Sequence, residues 1–477
     1  MNYRVKITLF FIVIIIFGLN INYNFKENEK IKKYDGQQAN SLGKSKPEIA
    51  NFWELNFIHV NNNWTSTNSS NLWCNGKGTK ENPYIIENAT INGNGIGSGI
   101  FIENSRDYFE IRNSTISNVE YGIKIINTTN FRFKNITIFN IYGRNAVNGV
   151  LGKDGPNAEI CSGIYIENCS NTEILTTKIY NLSGGRGGNG GSGGLGSVGC
   201  AAGKGSDTYG INIFNSCNIL ISTSEIFDIK SGDGGHGGDG ANGDINTNIH
   251  GSNGGSGGSG GNAYGIFINN SNKITIENNT IYKISSGMGG SGGRGGDGHK
   301  GYPLNDGGFG GQGGTGGNGG FLGGIYLINV ISTSIHYNRM FNNTCGNGGN
   351  GGDGGWGGEG GDGLSYQFPG GDGGNGGWGG NGGNSGSCFI LYFTNCLGLN
   401  NSFNFLANCS NGSYGIGGNR GIGGLGGSYG SDGYDGQDGA FGVINPIIGF
   451  NLYETSNSKS FYNIIFIKNN CDNGNNN

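Results

Sequence analysis

A six-residue pattern, Gly-Ile-x-Ile/Leu-x-Asn, constrains the fold of this chain more than any other feature. Its six copies begin at Gly99, Gly122, Gly163, Gly210, Gly265 and Gly324. In the fifth copy and the residues after it, apolar side chains alternate at Ile266 and Ile268, then at Ile274 and Ile276. Such alternation over short runs is typical of β-strands with one buried face. Recurrence of the unit predicts an all-β parallel β-helix, with three short strands in each coil of about 22 residues.

The last position of the pattern is always asparagine. These residues are Asn104, Asn127, Asn168, Asn215, Asn270 and Asn329. Asparagine tolerates left-handed backbone angles, and stacked side-chain amides can bond from one coil to the next. The column therefore predicts a structural corner of each coil.

A second motif precedes the first copy: Gly78-Thr79, then the run from Asn82 to Glu87 (NPYIIE). Followed by Gly-Ile-x-Ile-x-Asn units, it resembles the right-handed parallel β-helix (pectin-lyase-like) superfamily, in its NosD-like and carbohydrate-binding-and-sugar-hydrolase repeat branch. The resemblance covers roughly residues 75–345 and 387–470. It implies a right-handed, single-stranded solenoid, but that fold supports many unrelated functions.

The order of segments predicts an exported protein. Residues 1–21 combine Arg4 and Lys6 with an apolar run, as in a signal peptide or an uncleaved anchor. Residues 22–50 are expected to form a flexible tether, and residues 51–98 an N-terminal cap with the first coil. The coils then occupy 99–386, and the C-terminal coils occupy 387–477. We expect a secreted or cell-surface, extracytoplasmic protein that contacts a membrane only through its N-terminal segment, if that segment is uncleaved.

Glycine-rich insertions interrupt the coils at one corner, and glycine accounts for 104 of the 477 residues. The predicted insertions are 143–161, 183–208, 231–263, 287–322 and 345–386, with a sixth at 410–440. Their Gly-Gly-x texture is compatible with disordered loops or with polyglycine II, a threefold extended helix that packs against its neighbours. We favour polyglycine II, which resembles the tip domains of some phage adhesins.

Symmetry inside the fifth insertion favours a hairpin with two glycine arms. Around its centre, four pairs of residues lie at mirrored positions. The pairs are Asp362 with Asp372, Glu359 with Asn375, Trp356 with Trp378, and Asn350 with Asn384. A hairpin would also bring Cys345 and Cys388 together at its base, where we predict a disulfide bond.

Charge and motif content exclude several functions. The net charge of −4 gives no basic surface for nucleic acid. The five histidines are scattered, no metal-ligand spacing is present, and we predict neither a metal nor another cofactor.

The outward positions of the first strand offer a weak catalytic alternative. Glu103 and Glu167 lie two coils apart, near the carboxylate separation of inverting glycosidases. Two solvated surface glutamates explain the same pattern. The neighbouring column of Phe101, Tyr165, Phe267 and Tyr326 either stacks on sugar rings or is covered by an adjacent loop.

The sequence leaves three functional hypotheses open. We favour a non-catalytic adhesive or structural module whose hairpin tips and exposed rings contact a glycan or a cell-surface protein. The candidate binding residues are Trp356, Trp378, Leu364, Tyr366, Phe368 and Tyr302. The alternatives are a polysaccharide-active lyase or hydrolase on the strand face, and a surface that binds ice or another crystal.

Overall fold

A computed structural model describes residues 53–466, except 96, 247–248, 366, 454–458 and 462–463. The predicted signal peptide or anchor, the tether and Tyr366 lie outside the described residues. The strands and the helix, in chain order, are β1 (Trp53–Leu55), β2 (Ile58–Asn61), α1 (Trp64–Ser70), β3 (Cys74–Asn75), β4 (Tyr84–Glu87), β5 (Ala89–Asn92), β6 (Ser98–Glu103), β7 (Phe109–Val119), β8 (Tyr121–Ile126), β9 (Thr129–Tyr142), β10 (Cys161–Glu167), β11 (Ser170–Leu175), β12 (Lys178–Ser183), β13 (Thr208–Phe214), β14 (Cys217–Ser222), β15 (Glu225–Lys230), β16 (Ala263–Asn269), β17 (Asn272–Glu277), β18 (Thr280–Ser285), β19 (Leu322–Ile328), β20 (Ile331–His336), β21 (Arg339–Thr344), β22 (Cys388–Thr394), β23 (Leu397–Ser402), β24 (Phe405–Ser410), β25 (Ile447–Tyr453), β26 (Lys459–Phe461) and β27 (Ile464–Phe466).

These strands form a parallel β-helix with three faces. The first face is a nine-stranded sheet that runs from β2 through β6, β8 and β10 to β25. The other two faces share an 18-stranded sheet, because the long strands β7 and β9 pass through both of them. Apart from the β3–β4 pair near the N-terminal end, the described strand pairs are parallel. The predicted fold class is confirmed.

Columns of isoleucine fill the interior of the helix. Ile123 lies in register between Ile100 and Ile164, and all three side chains are fully buried. The same register continues through Ile211, Ile266 and Ile325. β-Branched side chains suit such flat, stacked strands, and their burial is the main apolar contribution to stability.

The asparagine column turns each coil, as predicted. Asn127 has a φ of 51°, and its amide donates a hydrogen bond to the Oδ1 of Asn104 over 3.2 Å. Asn168, with a φ of 53°, donates in turn to Asn127. A second ladder of this kind runs through other corners, including Asn130 and Asn171. The amides thus bond coil to coil at positions where the chain needs left-handed angles.

The N-terminal end is closed by the short helix α1. Its Trp64 is buried, stacks on Tyr84 with ring centroids 5.1 Å apart, and packs on Phe109 at 4.9 Å. The indole N–H donates to the hydroxyl of Ser105 over 2.7 Å. These contacts cover the first coil and protect its isoleucine core from water. Among the described residues, no helix has the length and apolar character needed to cross a membrane.

All six insertions leave the solenoid at the corner between the third face and the next first-face strand. They occupy residues 143–160, 184–207, 231–262, 286–321, 345–387 and 411–446. The sixth was predicted to end at 440, six residues too early. Its regular x-Asp-Gly triplets end at Gly439, but Ala440 and Val443 still bond to the preceding insertion, so the bundle continues beyond the motif.

The glycine fin as candidate functional site

Each insertion is a hairpin with an outgoing arm and a return arm, and we number the hairpins 1 to 6 along the chain. Because they all leave from one corner, the hairpins stack side by side as a fin. The six outgoing arms form one layer and the six return arms form the second. In hairpin 5, for example, the arms are residues 345–363 and 370–387 on either side of a short turn.

Backbone hydrogen bonds join the two layers in a zigzag. In hairpin 3 the N–H of Gly255 donates to the carbonyl of Gly238 over 2.7 Å. Gly293 of hairpin 4 donates to Gly255, and Gly314 donates to Gly293, each over 2.8 Å. Gly352 of hairpin 5 continues the series by donating to Gly314 over 2.8 Å. The arms thereby satisfy backbone groups that an isolated loop would leave to water.

The geometry explains why two of every three residues are glycine. In the triplet Ser291-Gly292-Gly293, a Cβ on Gly292 would lie 1.9 Å from the carbonyl oxygen of Gly314, in the opposite layer. A Cβ on Gly293 would lie 2.0 Å from the oxygen of Gly238, in the preceding hairpin. A threefold helix directs its third residue away from both neighbours, so only the x position, here Ser291, has room for a side chain.

The x residues of the two layers consequently face opposite sides of the fin. In the return layer, a Cβ on Gly313 would meet the oxygen of Gly352 in the outgoing layer at 1.9 Å. The preceding residue, Gln312, therefore points away from the outgoing layer and is exposed. We call the surface formed by x residues of the outgoing arms the outgoing face, and that formed by x residues of the return arms the return face.

Asparagine and aspartate are common at x because their side chains complete the backbone bonding. The N–H of each x residue points outward and needs an acceptor in the neighbouring hairpin. Asp239 Oδ1 accepts from the N–H of Arg294 over 2.8 Å, and Asp297 Oδ1 accepts from Trp356 over 2.8 Å. On the return face, Asn375 accepts in the same way from Tyr434 over 2.9 Å. These bonds hold the exposed edges of the arms in register.

The final hairpin carries a specific edge cap. Within the described residues no hairpin stacks on the far side of hairpin 6, so its outgoing arm lacks the carbonyls that other arms use as acceptors. Asp435 Oδ1 accepts from the N–H of Gly423 over 3.0 Å, and Asp432 and Asp438 accept from Gly426 and Arg420. The sequence SDGYDGQDG, in which aspartate replaces the first glycine of each triplet, marks this edge.

The mirrored pairs of hairpin 5 lie at matching levels of the two arms, with Trp356 and Trp378 on opposite faces. The N–H of Gly377 donates to the carbonyl of Gly355, which places the two tryptophans level. Their side chains are 57% and 55% exposed. A single flat partner therefore contacts only one of these two rings.

The predicted tip residues lie at the distal edge of the fin. Tyr302 in hairpin 4 and Leu364 and Phe368 in hairpin 5 are all exposed. The turn of hairpin 5 is closed by the N–H of Phe368, which donates to the carbonyl of Ser365 over 2.9 Å.

A disulfide bond joins Cys345 and Cys388 at the base of hairpin 5, with Cα atoms 5.7 Å apart. It closes the loop whose arms project furthest, which restricts the unfolded chain. Two further thiols near the solenoid corners are buried, and burial raises the pKa of Cys161 and that of Cys409, each to about 11. Such thiols are poor nucleophiles at neutral pH.

The two glutamates of the catalytic alternative lie at the expected separation, and each has a different hydrogen-bond partner. Glu103 and Glu167 lie on either side of Ile126 in the register of the first face, roughly 10 Å apart at the usual strand spacing. Glu103 lies 3.0 Å from His59 Nε2, and the hydroxyl of Tyr165 donates to Glu167 over 2.9 Å. Burial, and then this hydrogen bond, raise the pKa of Tyr165 above its ordinary value. Each carboxylate thus has its own partner.

The outward aromatic column of the first face is partly covered by the base of the fin. Phe267 is buried, and Tyr326 packs edge-on against Phe321 of hairpin 4 with centroids 5.1 Å apart. Phe321 also stacks on Phe389 at 5.0 Å. At this end of the column, the rings anchor the fin to the solenoid instead of forming an open platform.

Two features were missed in the sequence. The third face carries a ladder of stacked outward rings, spaced by 4.8–5.4 Å. Its members are Phe139, Tyr180, Phe227, Tyr282 and Phe341. The second face has a groove of about 650 Å³ that contains Glu110, Arg132 and Glu173. Column-by-column alignment of the coils would have found both. In the groove Arg132 bonds Glu173 over 2.6 Å and lies 3.7 Å from Glu110, so both carboxylates have a cationic neighbour.

Within the described part of the chain, no group of three or more His, Cys, Asp or Glu side chains is arranged to hold a metal ion.

The class of protein defined by these features is a parallel β-helix that carries a polyglycine-II-like fin. No family model matches the chain, and no curated protein does. Among solved structures, it is similar to a surface adhesin of Streptococcus pneumoniae, PfbA, at 10% identity and a TM-score of 0.21, covering 68% of this chain and 76% of the adhesin.

Two other solved structures show likeness at similar levels. The periplasmic alginate epimerase AlgG is 11% identical, with a TM-score of 0.17 and coverage of 77% of this chain and 85% of the epimerase. A springtail antifreeze protein from Granisotoma rainieri, a bundle of nine polyproline type II helices, is 21% identical. The match has a TM-score of 0.12 and covers 45% of this chain and 94% of that protein. At these scores the likenesses carry no conclusion about function.

Proposed function

We propose that this protein is an exported, surface-associated module that adheres to a glycan or a cell-surface protein through its fin, without catalysis. Its membership in the NosD-like branch of β-helix proteins is part of this proposal and rests on the repeat motifs. The extracytoplasmic location rests on the N-terminal segment, in which Arg4 and Lys6 precede an apolar run.

The observation that carries the proposal is the order of the fin. Its backbone is fixed by hydrogen bonds in both layers, while every third side chain is exposed. A partner that binds such a surface loses little free energy to the ordering of loops, which favours adhesion by a preorganised scaffold. The exposed apolar side chains of Tyr302, Leu364 and Phe368 extend this surface to the distal edge.

A direct test compares glycan-array binding by the purified protein and by two sets of variants. The fin set replaces the exposed side chains Trp356, Trp378, Tyr302, Leu364 and Phe368 with serine. The strand-face set combines Glu103→Gln and Glu167→Gln with Phe101→Ser. Thermal unfolding of each variant is compared with that of the parent protein, because Phe101, Glu103 and Glu167 are half-buried and their replacement must leave the solenoid folded.

We expect binding to be lost in the fin set and kept in the strand-face set. The opposite result would place the binding site on the solenoid and contradict the proposal. Release of reducing or unsaturated sugar ends that disappears with Glu103→Gln and Glu167→Gln would show an enzyme instead of an adhesin.

Binding to ice or to another crystal is a second candidate, favoured by the periodicity of the faces. The x residues repeat every ~9.3 Å along an arm, and the arms are ~4.8 Å apart. Measurement of thermal hysteresis tests this candidate directly. If the parent protein depresses the freezing point and the fin-set variants do not, ice binding and not adhesion is the function of the fin.

A further inference from the structure

The two faces of the fin differ in charge, and this difference points to one of them as the binding face. On the outgoing face, most rows of x residues carry ionised side chains. They include Asp239, Arg294, Asp297, Lys300, Asp353 and Glu359. On the return face of hairpins 3 to 6, the rows from that of Phe309 to the base contain no Asp, Glu, Lys or Arg among their x residues, and the next row toward the tips contains Asp306 and Asp372. The edge-cap aspartates lie at the end of the stack, outside this area.

The two level tryptophans have correspondingly different surroundings. On the outgoing face, the guanidinium of Arg294 lies 5.7 Å from the ring centroid of Trp356. The backbone N–H of Trp356 donates a hydrogen bond to Asp297. Trp378 on the return face lies in a row with Gln312 and Gln437, since Gly313 and Gly379 donate to the carbonyls of Trp378 and Gln437. Trp378 is therefore an exposed ring with uncharged neighbours on both sides.

Two more exposed rings lie next to Trp378 on the same face. Phe309, Asn375 and Tyr434 share a row one triplet nearer the tips, because Gly310 donates to the carbonyl of Asn375 and Gly376 to that of Tyr434. In this row Asn375 separates the two rings, which places Phe309 and Tyr434 roughly 10 Å apart at the usual arm spacing. The three rings form a shallow triangle with amides between them.

Beyond the triangle, the return face carries small hydroxyls and amides in regular rows. Thr315 and Asn381 share one row, and Asn318 and Asn384 share the next. Aromatic rings bury the apolar faces of flat partners, while amides and hydroxyls donate and accept at fixed spacings. The combination fits a partner that is itself flat, periodic, rich in hydroxyls and without charge.

Resting on the adhesive function proposed above, we propose that the return face binds a neutral, insoluble polysaccharide, with Phe309, Trp378 and Tyr434 as the sugar-stacking platform. An anionic polysaccharide would find no Lys or Arg among the x residues of the rows that carry the three rings. The aromatic rings project beyond the smaller side chains and would prevent a flat ice surface from contacting the amides and hydroxyls of this face. Hydroxyl-rich sugar rings satisfy both the aromatic and the amide positions.

Retention on insoluble cellulose and on chitin tests this proposal with the purified full-length protein. One variant carries Phe309→Ser, Trp378→Ser and Tyr434→Ser. A matched control carries Trp356→Ser, at the same level of the same hairpin but on the opposite face. A second control carries the tip substitutions Tyr302→Ser, Leu364→Ser and Phe368→Ser. Unchanged thermal unfolding verifies that all three are folded.

We expect the return-face variant to bind at least about tenfold more weakly to one of the two polysaccharides, with both controls within about twofold of the parent. Binding should change little between ~50 mM and ~500 mM NaCl, because no ion pairs are involved. Loss of retention in Trp356→Ser or in the tip variant, with the return-face variant unaffected, would overturn the proposal and leave adhesion through the fin intact.

Three other results would also overturn it. These are absence of retention on both polysaccharides, binding that weakens strongly with salt, and thermal hysteresis that depends on the return-face rings. If the protein is retained on neither polysaccharide, the glycan array shows separately whether the fin binds another glycan. Array binding that persists in the fin set would reject the adhesive function as well.

Discussion

At the corner of each coil, one asparagine combines two physical tasks that no other residue performs together as well. Asn127 adopts a φ of 51° and bonds through its amide to Asn104 and Asn168. A β-carbon disfavours this backbone region by about 1–2 kcal/mol, and short polar side chains tolerate it best. Asparagine therefore occurs in this column for two reasons: it tolerates the left-handed backbone angles, and its side-chain amide bonds to the neighbouring coils.

Substitution of Asn127 separates these contributions. Asn127→Ala should lower the free energy of unfolding by about 2–3 kcal/mol, from backbone strain together with the lost amide bonds. Asn127→Gly should cost less, because glycine adopts the left-handed angles without strain. Thermal and denaturant unfolding measure both variants. Equal losses in the two would show that the left-handed conformation contributes nothing.

Inside the fin, most glycines cannot be replaced by a larger residue, because an added Cβ would clash with a facing carbonyl oxygen. Gly293→Ala would place a Cβ 2.0 Å from the oxygen of Gly238, so the arms must separate at a cost of roughly 1–3 kcal/mol. Ser291→Ala, two residues away at an x position, should have no such effect. Amide hydrogen exchange of hairpins 3 and 4 measures the difference. Equal protection in both variants would contradict the packing described here.

At the scale of the element, each hairpin depends on the next for the acceptors of its outer edge. No further hairpin lies beyond hairpin 6 in the part of the chain that the structure describes, and Asp432, Asp435 and Asp438 supply the acceptors from its own return arm. An open row of N–H groups would otherwise form a template for pairing with another chain. The cap thus ends the stack and protects its last edge.

Removal of this cap should loosen hairpin 6 alone. We expect the triple change of Asp432, Asp435 and Asp438 to alanine to raise amide exchange at Gly423 and Gly426 by roughly tenfold, since each lost bond is worth about 0.5–1.5 kcal/mol. The matched triple change to asparagine keeps an Oδ1 acceptor and should remain close to the parent. If the asparagine variant exchanged as fast as the alanine variant, charge and not hydrogen bonding would be the stabilising factor.

At the scale of the whole molecule, the solenoid and the fin are stabilised by different means. The solenoid buries columns of isoleucine, whereas the fin is held by backbone hydrogen bonds between glycine arms. Because each hairpin contacts only its neighbours, the fin is expected to behave as a one-dimensional array whose stability depends on nearest-neighbour interfaces.

Deletion of whole hairpins distinguishes internal from terminal positions. Replacing hairpin 6 (411–446) by a short turn should raise hydrogen exchange only in hairpin 5. Replacing hairpin 5 (345–387) should raise it in both hairpins 4 and 6, which then lose a shared partner. Isoleucine-rich strands should remain protected in both proteins. Exchange that spreads evenly along the fin after either deletion would contradict a nearest-neighbour array.

The sequence by itself determined the solenoid and the arrangement of the hairpins, because both come from short-range periodicity. Alternating isoleucines predict strands with a buried side, fixed asparagines predict corners, and Gly-Gly-x triplets predict a threefold helix. The mirrored residues around the tip of hairpin 5 likewise predict levels of pairing, since the two arms are antiparallel in sequence.

Only the tertiary structure decided which side chains share a surface. Trp356 and Trp378 mirror each other in the sequence but lie on opposite faces, because the glycines of both layers point inward and force the x residues outward. Residues such as Phe309, Trp378 and Tyr434 come from three different hairpins and meet only after stacking. The group of rings on the return face is therefore a property of the assembled layers, and no single insertion contains it.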